Sequence, residues 1–171
     1  MAAFAFIGVF FAGHLFAQDD KSKRPSPPAI ATGKIKDATI SINYSSPSVK
    51  GRKIWGDLVP YDKVWRAGAN EATIFSTDKN IEVEGQKLPA GKYSLFVTPG
   101  EKEYIVYFNT ETGQWGDKKD GAANMDPKAT LIQVKVKPKE LKEVVEKLTY
   151  TISEKGFSLS WDKLMIPVSI K

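Results

Sequence analysis

Residues 148–171 read LTYTISEKGFSLSWDKLMIPVSIK. Leu148, Tyr150 and Ile152 alternate with Thr149, Thr151 and Ser153. Phe157, Leu159 and Trp161 alternate with Ser158, Ser160 and Asp162, and Ile166, Val168 and Ile170 with Pro167, Ser169 and Lys171. Successive side chains of a strand leave on opposite faces, so a period of two marks one buried and one wet face. Between the first two runs, Ser153-Glu154-Lys155-Gly156 fits a type I turn with Gly in the left-handed position. Pro167 has no N–H to donate, which places the last run at a sheet edge or a bulge.

The same period recurs upstream. Ile40, Ile42 and Tyr44 alternate with Thr39, Ser41 and Asn43, and Ile132, Val134 and Val136 with Gln133, Lys135 and Lys137. Tyr93–Thr98 and Tyr104–Phe108 are apolar on both faces, so they should be central strands, covered on each side. Thr98-Pro99-Gly100-Glu101 joins them, and Val83-Glu84-Gly85 and Leu88-Pro89-Ala90-Gly91 are further turns. Strands returning every 8–12 residues or so, with turn signals between, predict an all-β fold. The expected form is an antiparallel β-sandwich, jelly-roll-like, of about 8–10 strands with at most one or two short helices. Pro138–Leu148 is the main helical candidate, since Leu141, Val144, Val145 and Leu148 lie at helical spacing. The alternative is a Lys/Glu-rich connection running into the next strand. Ile54–Val59 is read as one turn before Pro60.

Residues 1–17, MAAFAFIGVFFAGHLFA, carry no charge, and the polar stretch QDDKSKRPSPP comes directly after. This predicts a signal peptide over 1–17, with Ala17 before the cut. No Lys or Arg precedes the apolar run. The alternative is a retained anchor, at the lower length limit for a bilayer span. Residues 18–29 read as a flexible Pro-rich leader and 30–171 as a single β-sandwich domain. The expected location is periplasmic or extracellular.

Cleavage would remove His14, the only histidine, and the chain has no cysteine. That excludes a thiolate nucleophile, an imidazole base, a Ser–His–Asp relay, a typical zinc site and disulfides. No cofactor is indicated, and no metal: Asp117, Asp120 and Asp126 match no calcium-loop spacing. The net charge is +5, with Lys scattered among Glu. No basic stripe with interleaved aromatics points to nucleic acid.

One stretch does not fit the sheet pattern. YSSPSVKGRKIWGDLVPYDKVWRAGANEAT, residues 44–73, is rich in Trp, Tyr, Arg and acid. Loops that concentrate such side chains carry function on a rigid scaffold. Trp65 beside Arg66 can stack a flat or sugar-like ligand and pin an anionic or hydroxylated group; otherwise Trp65 caps the core and Arg66 pairs with Glu71 or Asp57. Gly68-Ala69-Asn70 can present backbone N–H groups to an anion, or simply turn the chain. Arg52 adds positive charge to the same mouth, which Tyr44, Tyr61, Trp55 and Trp115 can line. The expected binding residues are Trp65, Arg66, Asn70, Glu71, Arg52, Tyr44 and Trp115. Glu71 and Asp57 are the carboxylates available for acid–base work, although an Arg66 partner would lower the pKa, the wrong direction for a general acid. Thr110–Lys128 is a long Gly-rich loop carrying Trp115, of a length typical of lids and binding loops.

The blocks GRKIWGDLVPYDKVWRAGANEAT, LPAGKYSLFVTPG, EYIVYFN, GQWG and LSWDKLMIPVSI resemble the exported bacterial family of domain of unknown function 2911. The resemblance covers about Pro27–Lys171. Members usually carry Thr after the Trp-Arg pair, where this chain has Ala67. The resemblance implies an extracytoplasmic β-sandwich and no reaction.

Three functional readings fit these residues. The first is an envelope module that binds an unknown small molecule or glycan, or is structural. The second is a carboxylate-dependent hydrolase acting on a glycan. The third is an assembly subunit docking a protein partner. The residues name no reaction, ligand or oligomeric state.

Overall fold

The computed structural model describes residues 20–171; the expected signal peptide lies outside the described residues. It contains ten strands: β1 (Pro28–Ile35), β2 (Ala38–Ser45), β3 (Thr73–Thr77), β4 (Ile81–Val83), β5 (Gln86–Leu88), β6 (Gly91–Thr98), β7 (Tyr104–Asn109), β8 (Thr130–Val136), β9 (Lys139–Ser153) and β10 (Gly156–Ser169). Two single-turn 3-10 helices, Lys21–Lys23 and Pro127–Ala129, are the helices of the described residues. The fold is the all-β sandwich that the alternation predicts.

One layer is a six-stranded antiparallel sheet ordered β1-β2-β3-β6-β7-β8. The other is built on the β9–β10 ribbon. The β4–β5 hairpin joins the chain's last residues, with Glu82 and Lys171 exchanging backbone hydrogen bonds at 2.9 Å. β6 and β7 are interior strands, as their two apolar faces require. Leu95 and Val97 enter the main core, and Phe96 on the other face of β6 is fully buried as well. Ile40, Ile42, Phe75, Val106 and Phe108 of the large sheet face Leu148, Tyr150, Phe157, Leu159 and Trp161 of the ribbon. The gap between Leu95, Val97 and Val106 on one side and Tyr150, Phe157 and Val168 on the other is about 10 Å³. That is about the minimum for one water, so no ligand lodges between the layers.

The ribbon departs from a straight hairpin. A 14-residue strand would separate its ends by roughly 45 Å, yet Ile170 N donates to Lys155 O at 2.9 Å. The chain turns back at Asp162, which has φ +53° and stands at a register shift. The corner explains why inward positions are odd before it (Phe157, Leu159, Trp161) and even after it (Ile166, Val168, Ile170). Ser169 N donates to the Glu84 side chain, away from Lys155. Pro167, two residues earlier, turns its missing N–H the same way, as an edge position allows.

Three expectations are corrected. Residues 139–148 are strand, not helix: all of Lys139–Leu148 belongs to β9, with Ser48 bridged to Lys147 and Val49 N donating to Glu146 O at 2.8 Å. Pairing to neighbouring segments overrides a weak helical spacing. Gly156 has φ +140°, beyond the left-handed turn region. It is itself paired with Ser153, across a two-residue turn at Glu154-Lys155. Finally, the leader is folded onto the domain from Asp20: β1 starts at Pro28, and Ser46 N donates to Pro27 O at 2.9 Å. No helix of the described residues is long and apolar enough to cross a membrane.

Candidate functional site

The dense segment is an excursion from a strand. Trp65 and Val97 exchange backbone hydrogen bonds at 2.8 Å, and the next partner on that side of β6 is Thr73, opposite Leu95. Two steps along β6 therefore face eight along its partner. The surplus forms an outsized bulge, a device that re-aims side chains beside functional sites. Ala67 (φ +55°) and Asn70 (φ +59°) bend it through the left-handed region, where a non-glycine residue costs roughly 1–2 kcal/mol. Buried Ala67 is held there by its carbonyl, which accepts from Thr73 Oγ1 at 3.0 Å and Tyr150 Oη at 2.8 Å.

The bulge tip pairs with the long loop. Gly116 N donates to Asn70 O at 2.9 Å and Ala72 N to Gln114 O at 3.1 Å. A Cβ on Gly116 would stand 2.2 Å from Arg66 Cδ and 2.8 Å from Asn70 O, so this approach requires glycine. Buried Asn109 clamps the loop's base, donating to Asp126 O at 2.7 Å and accepting from Glu111 N at 3.0 Å. Arg66 Nη1 donates to Asp117 Oδ2, tying loop to bulge. This replaces the expected pairing of Arg66 with Glu71 or Asp57. The pairing differs because Gly116 brings the next residue, Asp117, against the guanidinium. Burial lowers the Arg66 pKa, but an arginine remains charged.

The candidates divide into two groups. Arg52, Trp65 and Arg66, with Ser26, Leu58, Gly68, Ala69 and Trp161, line a cleft of about 180 Å³. Half-buried Trp65 is its aromatic wall, backed by the core indole of Trp161 at 6.0 Å and 17° from parallel, with Trp55 edge-on to both. Arg52 bonds the carbonyls of Val49 and Ser48 and makes no ion pair among the described residues. Two of the three buried side-chain N–H or O–H groups without a partner, Arg66 Nε and Trp161 Nε1, belong to this lining. Each orphan costs about 1–3 kcal/mol.

Glu71, Asn70 and Trp115 form the second group, engaged by the leader. Lys21 Nζ donates to Glu71 Oε1 at 2.8 Å, and Arg24 Nη1 reaches both carboxylate oxygens at 3.0 and 3.2 Å. Asn70 Nδ2 donates to Ser26 O at 2.9 Å. Arg24 lies 6.0 Å from the ring of half-exposed Trp115. Tyr44 does not line the cleft: it packs edge-on against Tyr150 at 4.8 Å. Asp57 is exposed on the Ile54–Val59 loop, a set of turns closed by Val59 N to Ile54 O. A larger hollow of about 690 Å³, lined by Lys36, Ile81, Lys87, Leu88 and Lys171, lies against the β4–β5 hairpin instead. Sequence reasoning missed Lys21, Arg24 and Ser26, and weighed Asp117 only as a calcium ligand. Their only local signal is adjacency to GQWG and to the Pro-rich run.

Glu71 titrates far below an ordinary glutamate. The hydrogen bond from Lys21 is the largest cause, Arg24 adds to it, and the pKa falls from 4.5 to about 2. A depressed carboxylate contributes stability above its unfolded pKa and loses it as pH falls through the folded one. Glu71→Gln should therefore cost about 1 kcal/mol at neutral pH, discounted for a side chain 35% exposed. The gap to wild type should close between pH 4.5 and about 2. Urea unfolding of both proteins across that range checks it; a pH-independent gap would show that the ion pairs contribute nothing.

The fold and site together define an all-β sandwich with a bulge-built aromatic and arginine cleft. The chain belongs to the family described as "Protein of unknown function (DUF2911)", whose model matches residues 26–170. The match begins within the docked leader and takes in the bulge, the long loop and the ribbon. No curated protein and no solved structure matches the chain.

Proposed function

We propose that this protein is an exported bacterial envelope module that binds a small polar ligand in the cleft between Arg52, Trp65 and Arg66. Export is supported by the charge-free run over residues 1–17 and the absence of cysteine. Binding rests on one observation above others: the six-stranded sheet gives up strand pairing to build the bulge, and the cleft forms there. The half-buried Trp65 indole beside arginine suits a ligand with a flat or sugar-like surface and a polar end.

The hydrolase alternative gains no support from the carboxylates. Glu71 is held ionised by two cations, so it cannot donate a proton at neutral pH. The assembly alternative has only Ile30, Leu58, Trp115, Leu131 and Val144 as large exposed apolar side chains among the described residues. They come from five separate segments.

A thermal-shift screen of monosaccharides, glycan fragments and small anions tests the proposal. Arg52→Ala is the informative variant, because its hydrogen bonds go to carbonyls of its own turn. It should weaken a hit by about tenfold, the worth of one charge-assisted hydrogen bond, with the melting temperature of the free protein nearly unchanged. A screen without hits, or hits indifferent to Arg52, would count against the cleft.

A further inference from the structure

The charges and donors around the cleft specify more than a small ligand. On the reading of the cleft as a binding site, we infer that it takes an oxyanion, a carboxylate or phosphate group, carried on a compact body. Of its lining residues two are arginines and none is acidic. Asp117 offsets only Arg66, which leaves Arg52 as an uncompensated charge among the described residues. Arg66 spends Nη1 on Asp117, and its Nη2 makes no hydrogen bond with the described residues.

The backbone adds neutral donors. Gly68 and Ala69 line the cleft between left-handed Ala67 and Asn70. Neither amide N–H is engaged by a described residue, although Gly68 O accepts from Trp65 Nε1 at 3.2 Å. Consecutive free amides beside left-handed residues form a concavity that favours anions. Arg66 Nη2 and Arg52 Nη1, the guanidinium nitrogens not spent on described partners or buried, can each donate a charge-assisted hydrogen bond to a carboxylate or phosphate.

Size permits a body behind the anion. The cleft holds a space of about 180 Å³, far above the ~10–15 Å³ that one water needs. That admits an oxyanion and one small ring. Half-buried Trp65 provides the aromatic surface for the ring, with Trp161 sealed behind it.

Four probes test the inference on the purified protein by calorimetry at low ionic strength: benzoate, neutral benzamide, glucuronate and inorganic phosphate. Benzoate or glucuronate should bind at least about tenfold more tightly than benzamide, and Arg52→Ala should erase most of the difference. Binding should weaken with added salt. Inorganic phosphate binding as well as benzoate would place the recognition in the oxyanion alone; glucuronate or benzoate binding better would place part of it in the ring. Equal binding of benzoate and benzamide, untouched by Arg52→Ala, would overturn the anion assignment while leaving a small-ligand site. Failure of all four probes, together with an empty screen of neutral sugars, would remove both.

Discussion

Trp161→Ala should lower the unfolding free energy by about 3–5 kcal/mol, the range for deleting a large buried aromatic. The indole is 1% exposed. It stacks on Trp65 at 6.0 Å and meets Trp55 edge-on at 6.1 Å. One effect opposes the loss: its N–H is buried without a partner, so deletion also removes a desolvation cost. Trp161→Phe separates the two, because it keeps an aromatic ring while removing the orphan donor. It should cost less than about 1.5 kcal/mol. The bond from Trp55 Nε1 goes to the Trp161 carbonyl, so neither variant deletes it. Urea unfolding with an unchanged m-value reads both numbers. A loss below about 1 kcal/mol for Trp161→Ala would mean that the cleft wall is not part of the sealed core.

Gly156→Ala should be nearly as severe, at about 2–4 kcal/mol. At φ +140° a side chain is strained whatever the space. Here there is also no space: an added Cβ would lie 2.0 Å from Val168 O, 2.9 Å from Ile170 N and 3.0 Å from Ser169 Cα. All three are backbone atoms, so no rotamer relieves the contact. The returning strand would have to separate from the turn, and the bond from Ile170 N to Lys155 O would go with it. Gly85→Ala is the control. Gly85 has φ +81° in the β4–β5 turn but nothing within 4 Å of an added Cβ. It should cost only the roughly 1–2 kcal/mol of a left-handed non-glycine residue. Similar melting temperatures for the two variants would show that Gly156 answers to backbone angle alone and not to the close return of the chain.

The strands were legible because most of them bury one face. Ile40 and Ile42, or Phe157 and Leu159, sit against the opposite layer while their neighbours meet water, and that asymmetry is written as a period of two. Lys139–Lys147 carries no such record. Its residues are largely exposed, with Val144 at 48%, so no buried stripe distinguishes strand from helix. Hydrogen bonds to Pro47 and Val49 decide it. The corner at Asp162 was half legible: the change from odd to even inward positions is visible in the sequence, but its cause is a register shift in space.

The candidate site was legible as a location and not as a wiring diagram. Trp65, Arg66 and Arg52 do share a cleft. Glu71 and Trp115 instead face the leader, because the bulge tip turns them towards Lys21 and Arg24. Glu71 lies 50 residues from Lys21 and Arg66 lies 51 from Asp117. No local spacing rule reaches across such separations.

Composition and periodicity by themselves determined that this chain is a β-sandwich without thiol or imidazole chemistry in residues 20–171, and that costly polar and aromatic side chains gather near residues 52–71. Those properties are local or additive, so they survive in one dimension. Tertiary structure alone decided which charges meet, which donors stay free and where the chain opens a cleft. Each of these depends on the register of Trp65 and Thr73 against β6, a match between distant segments that only the folded sheet sets.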